Sequence, residues 1–160
     1  MSRLRDDEIR RLLRYLHQQV EDQEYLAKIE DELRGADAEE FLREPELLAY
    51  FPEQTEELIA AGAKWILRII PHAYLRMVQR GIQQTAVVSM FKLFVEKCAA
   101  EEQVITVGPY TIFGRPMTRA KTLTLRVDVD VVADTSGQAR LVTVVIGRTN
   151  AEGTTERGLL

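Results

Sequence analysis

The stretch Thr122-Leu-Thr-Leu-Arg-Val-Asp-Val-Asp-Val-Val-Ala133, followed by Asp134-Thr-Ser-Gly137 and then Gln138 to Gly147, decides the fold. Leu123, Leu125, Val127, Val129 and Val131 take the odd positions; Thr122, Thr124, Arg126, Asp128 and Asp130 take the even ones. Side chains of a strand alternate between faces, so this is a strand with one apolar and one polar face. Asp134 to Gly137 are turn formers, and Leu141 to Ile146 is aliphatic and β-branched, so the pair reads as an antiparallel hairpin. Setting Ala133 opposite Gln138 brings Val129 to Val142, Val127 to Val144 and Leu125 to Ile146. A slip of one residue would turn the apolar row to the wrong face.

Upstream of this hairpin the period changes. Val104, Ile105 and Val107, the Gly108-Pro109 break, and Tyr110 to Phe113 predict a short hairpin or two consecutive strands. Before Gln103 the pattern is helical. Ile82 to Ala100 is broadly apolar (Val87, Val88, Met90, Phe91, Leu93, Phe94, Val95, Cys98) and is expected to pack on the apolar face of the sheet. His72 to Arg80 is a further helix, set off by Pro71 and Gly81. Glu53 to Ile70 is apolar nearly all round apart from Glu57, Lys64 and Arg68, which predicts a buried helix.

Asp6 to Arg34 reads as one long amphipathic helix of roughly 40 Å. Its stripe is Ile9, Leu12, Leu13, Leu16, Val20, Leu26, Ile29 and Leu33. Gln19 and Gln23 interrupt a strict heptad. Gly35 is a helix stop, Asp37 with Glu40 forms a capping box, and Pro45 and Pro52 cut the next segment into short pieces, from which Phe41, Leu42, Leu47, Leu48, Tyr50 and Phe51 are expected to point inward. The order of elements is that of an α+β protein. The expectation is one domain over 1–149: a helical part, 1–100, of about four to five helices, packed on an antiparallel meander of about three to four strands within 103–148. Residues 150–160 are expected to be a flexible tail.

Composition sets limits on function. The apolar share of 46% and charged share of 29% are those of a globular chain that can bury a core. No segment is long and apolar enough to insert in a membrane, and Cys98 is the single cysteine, so a cytoplasmic protein without internal disulfides is expected. The net charge of −4 is unevenly laid out. Residues 21–57 hold three basic and fourteen acidic residues, while residues 58–148 hold twelve basic and six acidic ones. The basic residues are dispersed, which argues against nucleic acid as a partner. The acidic segment is either a solvated surface or a docking face for the basic half.

Candidate chemistry is sparse. Asp128 and Asp130 share the polar face of the long strand with Arg126, a pairing able to hold a metal or share acid–base work if burial separates the pKa values. An ordinary wet sheet face, with Arg126 and Arg140 neutralising the acids, explains the same pattern. His17 and Glu21 lie four apart, but no Cys/His cluster accompanies them, so no metal site and no cofactor are expected. His72 stands at a helix break beside Pro71. Cys98 reads as a small buried hydrophobe. Arg115-Pro-Met-Thr-Arg119 has the form Arg-x-x-x-Arg and Asp134-Thr-Ser136 the form Asp-x-Ser. Together these short patterns look like the two signature elements of PilZ domains, and the resemblance implies cyclic-di-GMP held by Arg115, Arg119, Asp134 and Ser136. Ala139 stands where that family's pattern has glycine, and the large helical half has no place in it.

Three functions follow as expectations. The first is a non-catalytic interaction or regulatory module that self-associates, or binds another protein, through the Ile9–Leu33 stripe or a sheet edge. The second is a small-ligand binder or enzyme with a pocket between helices and sheet, reached by Arg126, Asp128, Asp130 and His72. The third is the cyclic-dinucleotide reading.

Overall fold

The computed structural model describes residues 3–35, 37, 44–114, 121–134 and 136–148. Five helices and five strands occur among them: α1 (Asp6–Gln19), α2 (Gln23–Gly35), α3 (Pro45–Leu48), β1 (Gln54–Ala60), β2 (Ala63–Ile69), α4 (Pro71–Arg80), α5 (Gln84–Ala100), β3 (Gly108–Ile112), β4 (Lys121–Ala133) and β5 (Ser136–Arg148). The strands form one sheet in the order β1-β2-β5-β4-β3. Every neighbouring pair is antiparallel except β2 and β5, which run parallel. The architecture is α+β, with a larger sheet than the C-terminal half alone supplies.

The two extra strands correct the helix expected over Glu53 to Ile70. That segment is a hairpin in which Leu58 and Ala60 on β1, and Trp65, Leu67 and Ile69 on β2, are buried at every second position. Its loop is Ala61-Gly62, with φ of 52° and 76°. Positive φ at both loop residues gives the twist that a two-residue hairpin requires.

The long first helix is also two. Val20 is extended and ends α1. Asp22 then accepts hydrogen bonds from the backbone N–H groups of Glu24 and Tyr25, at 3.0 and 3.3 Å, and starts α2. An aspartate side chain satisfying first-turn donors is the usual way to open a helix. Glu21 therefore lies outside α1, so the helical spacing with His17 does not hold. Pro71 begins α4 instead of kinking a continuous helix, and Gly81, at φ 69°, ends it in the left-handed conformation. Phe41, Leu42, Glu40 of the expected capping box, and the tail 150–160 lie outside the described residues.

The β4–β5 hairpin is present, with a different register. Ala133 pairs with Ser136, so the loop is two residues, not four, and Val129 meets Ala139, Val127 meets Leu141 and Leu125 meets Val144. Irregularities between Arg126 and Val127 and between Val129 and Val131 adjust the pairing on the way. The second leaves Asp130 without an opposite residue, and beyond it the burial of alternate valines stops. Val129 is buried, whereas Val131 and Val132 are exposed. An inserted residue bends a strand and re-aims the side chains after it. The tight loop also brings Gly137 opposite Trp65 of β2. Only hydrogen fits there: a Cβ on Gly137 would lie 2.5 Å from the indole ring. No strand occurs at Gln103–Val107, and Gly108-Pro109 begins β3 instead of breaking it. Proline is accepted in β3 because that strand is at the edge of the sheet.

Two apolar clusters meet at α4. One joins the inner face of the sheet to α5 and to Ala73 and Met77 of α4. The other joins Ile9, Leu12, Leu16, Val20, Leu26, Ile29 and Leu33 to Leu47, Phe51 and Leu75. A polar clip crosses the helical interface: Gln79 Nε2 donates to Glu8 Oε2 at 2.7 Å, and Arg11 Nε donates to the Gln79 carbonyl at 2.9 Å. Burying an amide and a carboxylate is tolerable because each finds a partner.

Candidate functional site

The outer face of the sheet carries Arg68, Arg126, Asp128, Asp130 and Arg140. Arg140 donates to Asp128 Oδ2 at 2.8 Å, and Arg68 reaches Glu53 at 2.8 Å and Asp130 at 4.0 Å. Arg126, exposed, sits opposite Thr111 and Thr143. Asp128 therefore faces a guanidinium of the adjacent strand β5, and Asp130 lies within reach of one from β2, one strand further on. His72 is exposed on α4, which packs against the inner face, so the sheet lies between it and Asp128. Asp134 and Ser136 are exposed at the β4–β5 loop, while Arg115 and Arg119 lie outside the described residues. Among the described residues no group of three or more His, Cys, Asp or Glu side chains converges on a point where a metal would sit. None of their helices is long and apolar enough to cross a membrane.

The Ile9–Leu33 stripe is used within the chain. Leu12, Leu16 and Leu33 have no exposed area, and Leu13 packs at the margin of the same cluster. A surface available to a partner has to be sought elsewhere.

Among the described residues the large apolar side chains left exposed are Ile59, Leu93, Val104, Val107, Phe113, Val131 and Val132. Leu93 is on α5, Val104 and Val107 are in the α5–β3 connection, Phe113 directly follows β3, and Val131 and Val132 are at the end of β4 beyond its pairing with β3. Between α5 and β3 runs a groove of about 430 Å³, lined by Met90, Leu93, Phe94, Cys98, Ile112 and Phe113, with Lys97 and Glu101 among its polar neighbours. Leu93 and Phe113 are 56% and 55% exposed, far above the level of core residues of their size.

The groove has a firm wall. A row of rings links β2 through α5 to β3: Trp65 to Phe91 at 5.5 Å, Phe91 to Phe94 at 6.2 Å and Phe94 to Tyr110 at 5.4 Å. The first and last of these are edge-to-face, a contact that fixes orientation as well as burying area. Tyr110 Oη accepts the Thr106 backbone N–H at 3.0 Å and anchors the connection. Cys98 is buried, and that burial, reinforced by Glu101 nearby, holds its thiol above the usual range and so less reactive.

The two edges of the sheet differ in charge. β1 and the residue before it carry Glu53, Glu56 and Glu57. Over Gln103 to Gly114, which contains β3, there is no charged residue at all. Charges along an edge discourage other strands from pairing with it. The β3 edge lacks this guard, and Pro109 removes one donor from it. Nothing in the alternation pattern marked this region. The unbroken uncharged run was the available signal. Comparison with protein-family models, with curated proteins and with solved structures gave no match.

Proposed function

We propose that this protein is a non-catalytic interaction module whose contact surface for another protein chain is the β3 edge together with the groove beside α5. The observation that carries this reading is the exposure of Leu93 and Phe113 on the two walls of the groove, beside an edge strand without charged residues. Exposed apolar side chains scattered singly need no explanation, whereas a group of them rimmed by polar residues marks a contact site. An open strand edge adds main-chain hydrogen bonds to whatever docks there. The outer-face carboxylates support the same reading, because each already faces an arginine.

The test is site-specific photo-crosslinking in the protein's own cells, with the reactive residue at Phe113 or at Ile59. Ile59 is also exposed but lies on the acidic β1 edge. The reading expects protein adducts from position 113 and far fewer from 59. No adduct at 113, or equal yields from both, refutes it. The groove's volume also falls in the range of small-molecule sites, which gives a second reading of an apolar-ligand binder. A thermal-shift series with medium-chain fatty acids and indoles tests that alternative, and saturable stabilisation lost in Leu93→Asp would favour it.

A further inference from the structure

We infer that the partner meets this surface with an extended strand laid along β3, and that the strand carries a carboxylate between two apolar residues. The inference rests on the interaction reading above and adds the conformation and chemistry of what docks.

The edge itself fixes where such a strand pairs. Proline is accepted in an edge strand where its nitrogen is turned to solvent, so Pro109 marks the positions of β3 whose backbone faces away from β4. Backbone groups of a strand point alternately to its two sides. Thr111, two residues on, therefore presents its N–H and C=O on the open side. A strand added there pairs with Thr111, and its residue opposite Thr111 has its side chain on the same face of the sheet as Thr111. The residues before and after that one share the face of Tyr110 and Ile112, which packs against α5. Their side chains enter the groove beside Leu93 and Phe94. Apolar groups suit those two positions, since they take the exposed Leu93 out of water.

Thr111 lies on the outer face, beside Arg126, its direct neighbour on β4. Among the described strand residues of that face, Arg126 is the charged side chain left without an ion pair. Lys64 pairs with Glu57, Arg68 with Glu53 and Asp130, and Arg140 with Asp128. Arg126 is exposed, and β3 offers it no carboxylate, since residues 103–114 carry no charge. The residue opposite Thr111 on an added strand stands two strand spacings from Arg126, about 10 Å. An extended arginine and a glutamate close that gap between them, passing over the short threonine. A guanidinium then holds the carboxylate through two parallel hydrogen bonds. The other edge has no counterpart, because Lys64, the cation beside β1, is already paired with Glu57. The resulting pattern of apolar, acidic, apolar reads the same in both directions, so it holds for a parallel or an antiparallel strand.

The experiment is a titration of the isotope-labelled full chain, at low ionic strength, followed by its amide shifts. The probes are the capped peptides Ser-Thr-Val-Glu-Val-Thr-Ser and Ser-Thr-Val-Lys-Val-Thr-Ser. The glutamate peptide is expected to bind saturably and to move the amides of Thr111 and Phe113 while leaving those of β1 in place. It is expected to bind about fivefold more tightly than the lysine peptide, the size of an exposed charge pair made or reversed. In Arg126→Glu the preference is expected to invert, and tighter binding of the lysine peptide also shows that the variant is folded. No saturable shift at Thr111 and Phe113 overturns the docked strand. Equal affinity of wild type for the two peptides, or an unchanged preference in Arg126→Glu, overturns the carboxylate. Adducts from Phe113 in cells alongside either failure would leave the interaction reading standing without this partner.

Discussion

Gly137 is the position where one methyl group tests the packing of the whole sheet. A Cβ added there would sit 2.5 Å from two ring carbons of Trp65 and 2.7 Å from a third. Comfortable carbon contacts need ~3.5–4.0 Å, so the indole has to retreat by about 1 Å. It has little room to do so. Trp65 is 4% exposed and its ring meets Phe91 of α5 edge-on at 5.5 Å. Forcing an extra carbon into a packed core costs about 1–3 kcal/mol, and the lower entropy of the unfolded alanine chain returns ~0.4–1 kcal/mol. Gly137→Ala is therefore expected to lose roughly 1–2 kcal/mol, a fall in Tm of about 2–8 °C for a chain of this size. Urea unfolding followed by the emission of Trp65, the chain's single tryptophan, measures this directly. Gly35→Ala serves as the control, because nothing lies within 4 Å of a Cβ there. Replacing Trp65 by leucine is expected to remove most of the penalty, read by circular dichroism. A Gly137→Ala variant as stable as wild type, or one whose penalty persists beside leucine, refutes the packing argument.

Other perturbations follow from the same geometry. Ala61 holds a φ of 52°, which costs an alanine about 1 kcal/mol, so Ala61→Asn is expected to raise stability by up to that amount in urea titrations. Tyr15 donates to the Tyr50 carbonyl at 2.6 Å, and burial, aided by Tyr74, raises its phenol pKa above the ordinary 10.0. The folded state thus favours the neutral phenol. Its contribution is complete below the ordinary pKa and declines as pH rises above it, so Tyr15→Phe is expected to flatten the alkaline limb of a stability–pH profile. The raised thiol pKa of Cys98 predicts slow reaction with a disulfide reagent at about pH 8 in the folded protein and at least roughly tenfold faster reaction in urea.

The β4–β5 hairpin was legible because its alternation is long enough that only one period fits. α4 and α5 were legible for the same reason at the helical period, with Pro71 and Gly81 as punctuation. The β1–β2 hairpin was not. Lys64 and Arg68 are four apart, and four residues is both a multiple of the strand period and close to one helical turn. The strand signature was present in Leu58 and Ala60 and in Trp65, Leu67 and Ile69. The loop hid it, since Ala61 is not a residue expected at positive φ. The break at Val20 was legible only through Asp22, a cap residue obscured by the apolar stripe that continues on both sides. The register of β4 with β5 depended on bulges, and no local property of Asp130 announces one. The groove was the least visible feature, because its two walls come from segments that read as an ordinary core helix and an ordinary strand.

Hydrogen exchange measured across a titration with the glutamate peptide is the most direct test of where this protein makes contact. The account predicts that amides of β3 and of the turns of α5 that line the groove gain protection as its concentration rises, while α1, α2 and β1 stay unchanged. Exchange that is independent of concentration, or protection that grows at α1 and α2 instead, would contradict it.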